Sequence, residues 1–139
     1  MDFSVPGQPK GKGRPRFDSS GHAYTPQATR EYEDLVRSCA LNSGVYMIPK
    51  GVPVRVKLHC YYAIPVSWSK GRKLDADAGK LVPVTKPDAD NILKVICDSL
   101  NGIAWWDDAQ ITEATVLKSY SNHPRVYVKI EEAESKWED

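Results

Sequence analysis

Two short acidic clusters carry the chemistry of this sequence. The first is Lys86-Pro87-Asp88-Ala89-Asp90-Asn91-Ile92-Leu93-Lys94, and the second is Trp105-Trp106-Asp107-Asp108-Ala109-Gln110. Pro87 imposes an extended approach. Asp88 and Asp90, two apart in extended chain, then point to one side. A helix beginning there sets Asp90 and Lys94 about one turn apart on one face, and its positive N-terminus tolerates carboxylates. Gathering three carboxylates is unfavourable: at about 4 Å and an effective dielectric near 20, each like-charged pair costs about 4 kcal/mol. Mg²⁺ offsets that, since it is hard, oxygen-seeking and content with few carboxylates beside water and phosphate oxygens. A metal so held lowers the pKa of water and stabilises in-line displacement at phosphorus. Lys94 is then placed to orient the water or neutralise the phosphorane.

Simpler readings exist for each piece. Asp75-Ala76-Asp77 repeats the triplet without a following Asn or Lys, and reads as solvent-exposed. Asp88 can serve as a helix cap, and Asp90 with Lys94 as a surface pair. A phosphatase of the haloacid-dehalogenase type needs an apolar strand before its DxD, which residues 82–87 do not supply. A Walker phosphate loop needs Gly-Lys-Ser/Thr between strand and helix, which residues 7–13 lack.

Charge is divided along the chain. The net charge is +1, yet residues 1–73 carry +7 and residues 74–139 carry −6. A basic half joined to an acidic half suits an enzyme that attracts a polyanion and holds cations. The loop 7–17 concentrates the basic side, with Lys10, Lys12, Arg14 and Arg16 alternating; in extended chain all four point one way. Three Gly and two Pro exclude a helix there. Phe17 and Tyr24 follow, so the segment offers phosphate contacts and then a stacking ring.

The elements that position these residues read as α+β. At 139 residues the chain predicts one domain, 1–139. Residues 2–6 read as a strand. Thr25 caps a helix over 26–42 with Pro26 at its first position, and its stripe of Tyr32, Leu35, Val36, Cys39 and Ala40 belongs to the core. Residues 52–62 alternate as a half-buried strand. Residues 65–87 read as a flexible loop. A second helix over 89–101 is apolar on more than one side, which one small core does not require. Strands over 111–119 and 125–130, joined by a turn at 121–124, predict an antiparallel hairpin. The tail 131–139 is acidic and reads as frayed. The expected architecture is one mixed or antiparallel sheet packed by two main helices.

Other classes fall away. No apolar run approaches the roughly 20 residues a membrane span needs, and no signal pattern opens the chain, so a cytoplasmic protein is expected. Cys39, Cys60 and Cys97 are too scattered for a disulfide framework or a zinc site and read as buried thiols. His22, His59 and His123 lack ligand spacing.

Taken together, Asp88-x-Asp90-Asn91-x-x-Lys94, Asp98-Ser99-Leu100-Asn101-Gly102 and Trp106-Asp107-Asp108-Ala109-Gln110 resemble the RusA family of Holliday-junction resolvases, over about residues 83–118. The opening Gly7-x-x-Lys10-Gly11-Lys12-Gly13-Arg14-Pro15-Arg16-Phe17 looks like the family's phage and prophage branch. The chain departs from enteric-type members in this loop and in its longer 65–87 segment. The resemblance implies Mg²⁺, with Mn²⁺ as substitute, held by Asp88, Asp90 and Asp108, assisted by Lys94, with Asn91 and Asp107 beside the ligands. It implies a homodimer nicking two opposed strands of a four-way junction in DNA recombination and repair; the basic loop adds the expectation that Lys10, Lys12, Arg14 and Arg16 grip the DNA backbone. The second apolar side of helix 89–101, with Trp105 and Trp106, is the expected dimer surface. A general branched-DNA or flap nuclease, and a catalytically silent nucleic-acid-binding module, are the competing readings.

Overall fold

The computed structural model describes residues 1–134. The chain runs β1 (Asp2–Pro6), β2 (Arg16–Phe17), β3 (Ala23–Tyr24), α1 (Gln27–Asn42), β4 (Val54–Ala63), α2 (Lys70–Asp77), α3 (Ala89–Leu100), β5 (Ile111–Ser121) and β6 (Arg125–Glu132). β5 is preceded by a 3₁₀ turn, Asp108–Gln110. The main sheet has the order β1-β6-β4-β5, and β2 and β3 form a separate ribbon. The α+β class and the mixed sheet are as expected. Among the described residues no helix is long and apolar enough to cross a membrane.

β4 takes the centre because its alternation is the longest and cleanest. Val54, Val56, Leu58, Cys60 and Tyr62 are buried, and Val126, Val128 and Ile130 of β6 join them on the same face. β4 pairs antiparallel with β6 and parallel with β5. The expected β5–β6 hairpin is therefore wrong: β4 lies between the two strands. Alternation fixes which face a strand buries, not which neighbour it takes. The short turn crosses the end of β4, where Ser121 aligns with Ala63 and Arg125 with Tyr61. Ser121 Oγ accepts from the His123 amide at 3.0 Å, and the Arg125 guanidinium donates to the His123 carbonyl at 2.9 Å.

Four other expectations need correction. The N-cap of α1 is Pro26 rather than Thr25, and no side chain caps it. The segment 65–87 is not one flexible loop: Ser69 caps α2, its Oγ accepting from the Arg72 amide at 3.3 Å. The polar character of α2 hid it from a search for apolar stripes. It carries Asp75 and Asp77, both exposed as expected. The tail is ordered as far as Ala133, which is buried and donates its amide to the Pro53 carbonyl at 2.8 Å; the remainder of the tail, 135–139, lies outside the described residues.

The fourth concerns α3. It packs against both α1 and β5, so one chain covers both of its apolar sides. Ile92, Val95, Ile96, Leu100 and Trp105 have no exposure. No apolar face of α3 remains for a second copy, and only Trp106 of the two tryptophans is exposed. A charge at Val95 would therefore test folding, not association.

Candidate active site

The first acidic cluster sits at the N-terminus of α3; the second follows the helix in sequence and is turned back alongside it. Asp88 is its N-cap with extended backbone (φ −70°, ψ 151°), and its side chain caps nothing. A capping residue that leaves the first amides unserved keeps its carboxylate available for other ligands. The approach to Asp88 is clamped. The Tyr62 hydroxyl donates to the Pro87 carbonyl at 2.5 Å, and Lys118 Nζ donates to the carbonyls of Thr85 at 2.7 Å and Pro87 at 3.3 Å. Lys118 also lies over the Tyr62 ring, 4.8 Å from its centroid. Burial, with the Cys60 and Asp88 charges behind it, pushes the Tyr62 hydroxyl up to about 12, so it stays a donor.

At the other end, Asn101 and Gly102 stop the helix and turn the chain back. Gly102 has φ +81°, a conformation suited to glycine. The Trp105 indole, wholly buried, donates to Asn101 Oδ1 at 2.7 Å. Gln110 then locks the acidic turn. Its Oε1 accepts from the Trp106 amide at 2.9 Å and the Asp107 amide at 3.3 Å, while its Nε2 donates to the carbonyls of Pro49 at 2.9 Å and Val52 at 3.1 Å. Asp107 caps the 3₁₀ turn, leaving Asp108 to face α3.

The result is two adjoining concavities. The smaller, about 320 Å³, is lined by Asp90, Leu93, Lys94, Cys97, Asp108 and Ile111. The larger, about 780 Å³, has Lys10, Arg14, Arg16 and Lys86 on its walls together with Asp88 and Asn91. Thus Asp90, Lys94 and Asp108 come together, as the sequence suggests. The helix begins between Asp88 and Asp90; Asp88 lines the basic groove and Asp90 the acidic pocket. Among the described residues no three His, Cys, Asp or Glu side chains converge as a metal-holding group.

Electrostatics mark the smaller pocket. Burial, then the hydrogen bond and charge of Asp107, then the charge of Asp98, raise the Asp108 carboxyl above its ordinary pKa; Asn101 opposes them. Burial followed by the Asp108 and Asp98 charges pushes the Cys97 thiol up to about 12, so it is no nucleophile. Among the described residues, none of Asp88, Asp90, Asp107 and Asp108 forms an ion pair. Two carboxylates at an open pocket, outnumbering the one lysine that lines it with them, match the donor set Mg²⁺ accepts with water and phosphate oxygens.

The basic loop is bound to both helices rather than free. The Gly11 position lies against Asn91 and Pro87: a Cβ there would stand 2.4 Å from Asn91 Nδ2. The Gly13 amide donates to Thr29 Oγ1 at 3.0 Å. The four cations do not point one way. Lys12 pairs with Asp98 at 2.5 Å, and Lys10 lies 5.9 Å from the Tyr32 ring centroid. A Gly13 Cβ would meet Thr29 Oγ1 at 2.6 Å and Pro26 Cγ at 3.2 Å, and Thr29 is buried and stiff about χ1. Gly13→Ala should therefore cost about 1–3 kcal/mol. A urea midpoint equal to wild type would contradict that packing.

Sequence reasoning passed over Lys118 and read Asp98 only as part of a motif, with no role of its own. Lys118 was detectable as a cation at a core-facing position of β5, aligned with Cys60. Asp98 lies one turn beyond Lys94 on α3.

Residues 6–131 match the family described as Endodeoxyribonuclease RusA. The chain belongs to the RusA family. It is also 36% identical over 137 residues to a Bacillus subtilis (strain 168) protein that bears the name Uncharacterized protein YqaN, covering 95% of this chain and 96% of that protein. The matched residues include both the basic loop and the acidic turns.

Proposed function

We propose that this chain is a Mg²⁺-dependent, structure-selective endodeoxyribonuclease that resolves four-way junctions by paired nicks in DNA recombination and repair. The observation that carries the reading is the acidic pocket of Asp90, Lys94 and Asp108 beside a basic groove ending at Asp88, in a RusA-family chain. Asp90 and Asp108 would hold Mg²⁺, with Asp88 reaching it from the groove side. The ion supplies Lewis acidity that favours attack by water at phosphorus.

The chain's own groups do the rest. Lys94 supports the incoming nucleophile or the charge that develops on the phosphoryl oxygens. Asp107 caps the 3₁₀ turn that carries Asp108, its carboxylate accepting from the Ala109 amide at 3.4 Å, and Asn91 lines the wall beside Asp88. Lys10, Arg14 and Arg16 hold the DNA backbone; Lys12 supports the loop through Asp98. Water attacks in line, the P–O3′ bond breaks, and the products are a 5′-phosphate and a 3′-hydroxyl. The described residues carry one such pocket, so paired nicks require a homodimer matching the two-fold symmetry of the junction.

Removing Lys10 and Arg14 together should weaken binding to every DNA shape. The slope of log K against log salt should fall by about two units, and an unchanged slope would take both residues off the backbone. The reading itself is tested by cutting matched four-way, Y-shaped and linear duplexes with Mg²⁺. Symmetric nicks confined to the four-way junction are expected. Equal cutting of the Y-shape would make the chain a general branched-DNA nuclease, and no cutting of any shape would make it a binding module.

A further inference from the structure

The ribbon of β2 and β3 is not explained by the core or by the acidic pocket. Its two strands pair Arg16 with Tyr24 and Phe17 with Ala23. Cross-strand partners share a face, and successive residues alternate. Arg16 and Tyr24 therefore lie on one face, Phe17 and Ala23 on the other. Arg16 belongs to the basic groove, so the ribbon is continuous with the path that ends at Asp88. Phe17 is 70% exposed and Tyr24 46%. Neither makes a ring or cation contact among the described residues.

The turn that joins the two strands of the ribbon, next to Phe17, is braced from within. The Asp18 carboxylate accepts from the Ser20 amide at 2.9 Å, the Ser20 hydroxyl at 3.1 Å and the His22 amide at 3.0 Å. The Asp18 amide donates to the His22 carbonyl at 3.0 Å, and Gly21 turns the chain at φ +82°. An exposed apolar ring on a braced turn loses little conformational freedom when it meets a ligand.

We propose that Phe17 is a specificity-determining wedge that stacks on the base exposed where a DNA helix is interrupted at a branch point. The inference rests on the nuclease reading above and adds how a branch is told from a duplex. In a continuous duplex every base pair is stacked on both sides, so a ring beside the backbone finds no open π-face. At a branch point the pairs flanking the crossover can present one. A phenyl ring accepts any base, because every base has such a face, and apolar side chains wedge between base steps in this way. Arg16, one residue away, holds the backbone; Phe17 reads the break in stacking and not the sequence.

The test uses the full chain in EDTA, so that DNA is bound but not cut, with 2-aminopurine at the crossover of a four-way junction and at the same position in a linear duplex. Wild type should raise or quench the junction probe and bind the junction more tightly. Phe17→Ala should remove the probe response and weaken junction binding by about 5- to 150-fold, the range for one aromatic–base stack, with duplex affinity unchanged. Phe17→Trp should restore both. Because Phe17 is exposed, neither variant threatens folding. Equal losses on junction and duplex, or no loss on either, would overturn the wedge while leaving the nuclease reading intact. Failure of wild type itself to prefer the junction would overturn both.

Discussion

Asp90→Asn should cut four-way junction DNA at least ~10³-fold more slowly than wild type in Mg²⁺, while binding the junction as tightly or more tightly. The substitution keeps shape and removes one charge. Asp90 is exposed and forms no ion pair among the described residues, so stability should not change. What is lost is one of two carboxylates at the pocket it shares with Asp108. A catalytic divalent ion contributes several kcal/mol to the barrier, and ~10³ in rate is about 4 kcal/mol. Removing an anion from beside the DNA path lessens repulsion of phosphate, so affinity moves in the opposite direction to rate. Single-turnover cleavage with a parallel gel-shift separates the two. Near wild-type cutting would remove Asp90 from the site.

Lys94→Ala should lower the single-turnover rate by about 10²–10⁴, the range for a positioned proton-transfer or charge-stabilising group, with junction Kd unchanged. Lys94 lies one helical turn beyond Asp90 and lines the same pocket. It is exposed, so its loss leaves no buried partner behind. The groove cations Lys10, Arg14 and Arg16 stand on the other concavity, and on the proposed reading the affinity falls to them. A variant that cuts normally once bound, but binds weakly, would move Lys94 from the chemistry to the backbone contacts.

The parts of this site that were legible in the sequence are those governed by short range. The DxDNxxK and WDDAQ stretches fall where a helix starts and where a turn precedes a strand, and α3 meets both limits. Helix periodicity placed Asp90 and Lys94 together. The positions that were not legible depend on contacts far along the chain. Whether Asp88 and Asp90 share a side turns on a single residue, the point where extended chain becomes helix. The pairing of Lys12 with Asp98 joins residues on separate elements, and alternation in the basic loop cannot anticipate a partner that pulls one cation out of line. The Gln110 lock reaches back to Pro49 and Val52. Strand order failed for the same reason: a short turn suggested a hairpin, and a more apolar strand, β4, took the place between. The excess apolar surface of α3 was read correctly, but its second side faces α1 within one chain.

The most direct test of the central claim is a Mg²⁺ titration of junction cleavage by the wild-type chain, with end-labelled strands, single-turnover conditions and an EDTA control. Expected are no cleavage in EDTA, a rate that rises and saturates with Mg²⁺, and products ending in 5′-phosphate and 3′-hydroxyl. Cleavage that persists undiminished in EDTA would contradict that claim.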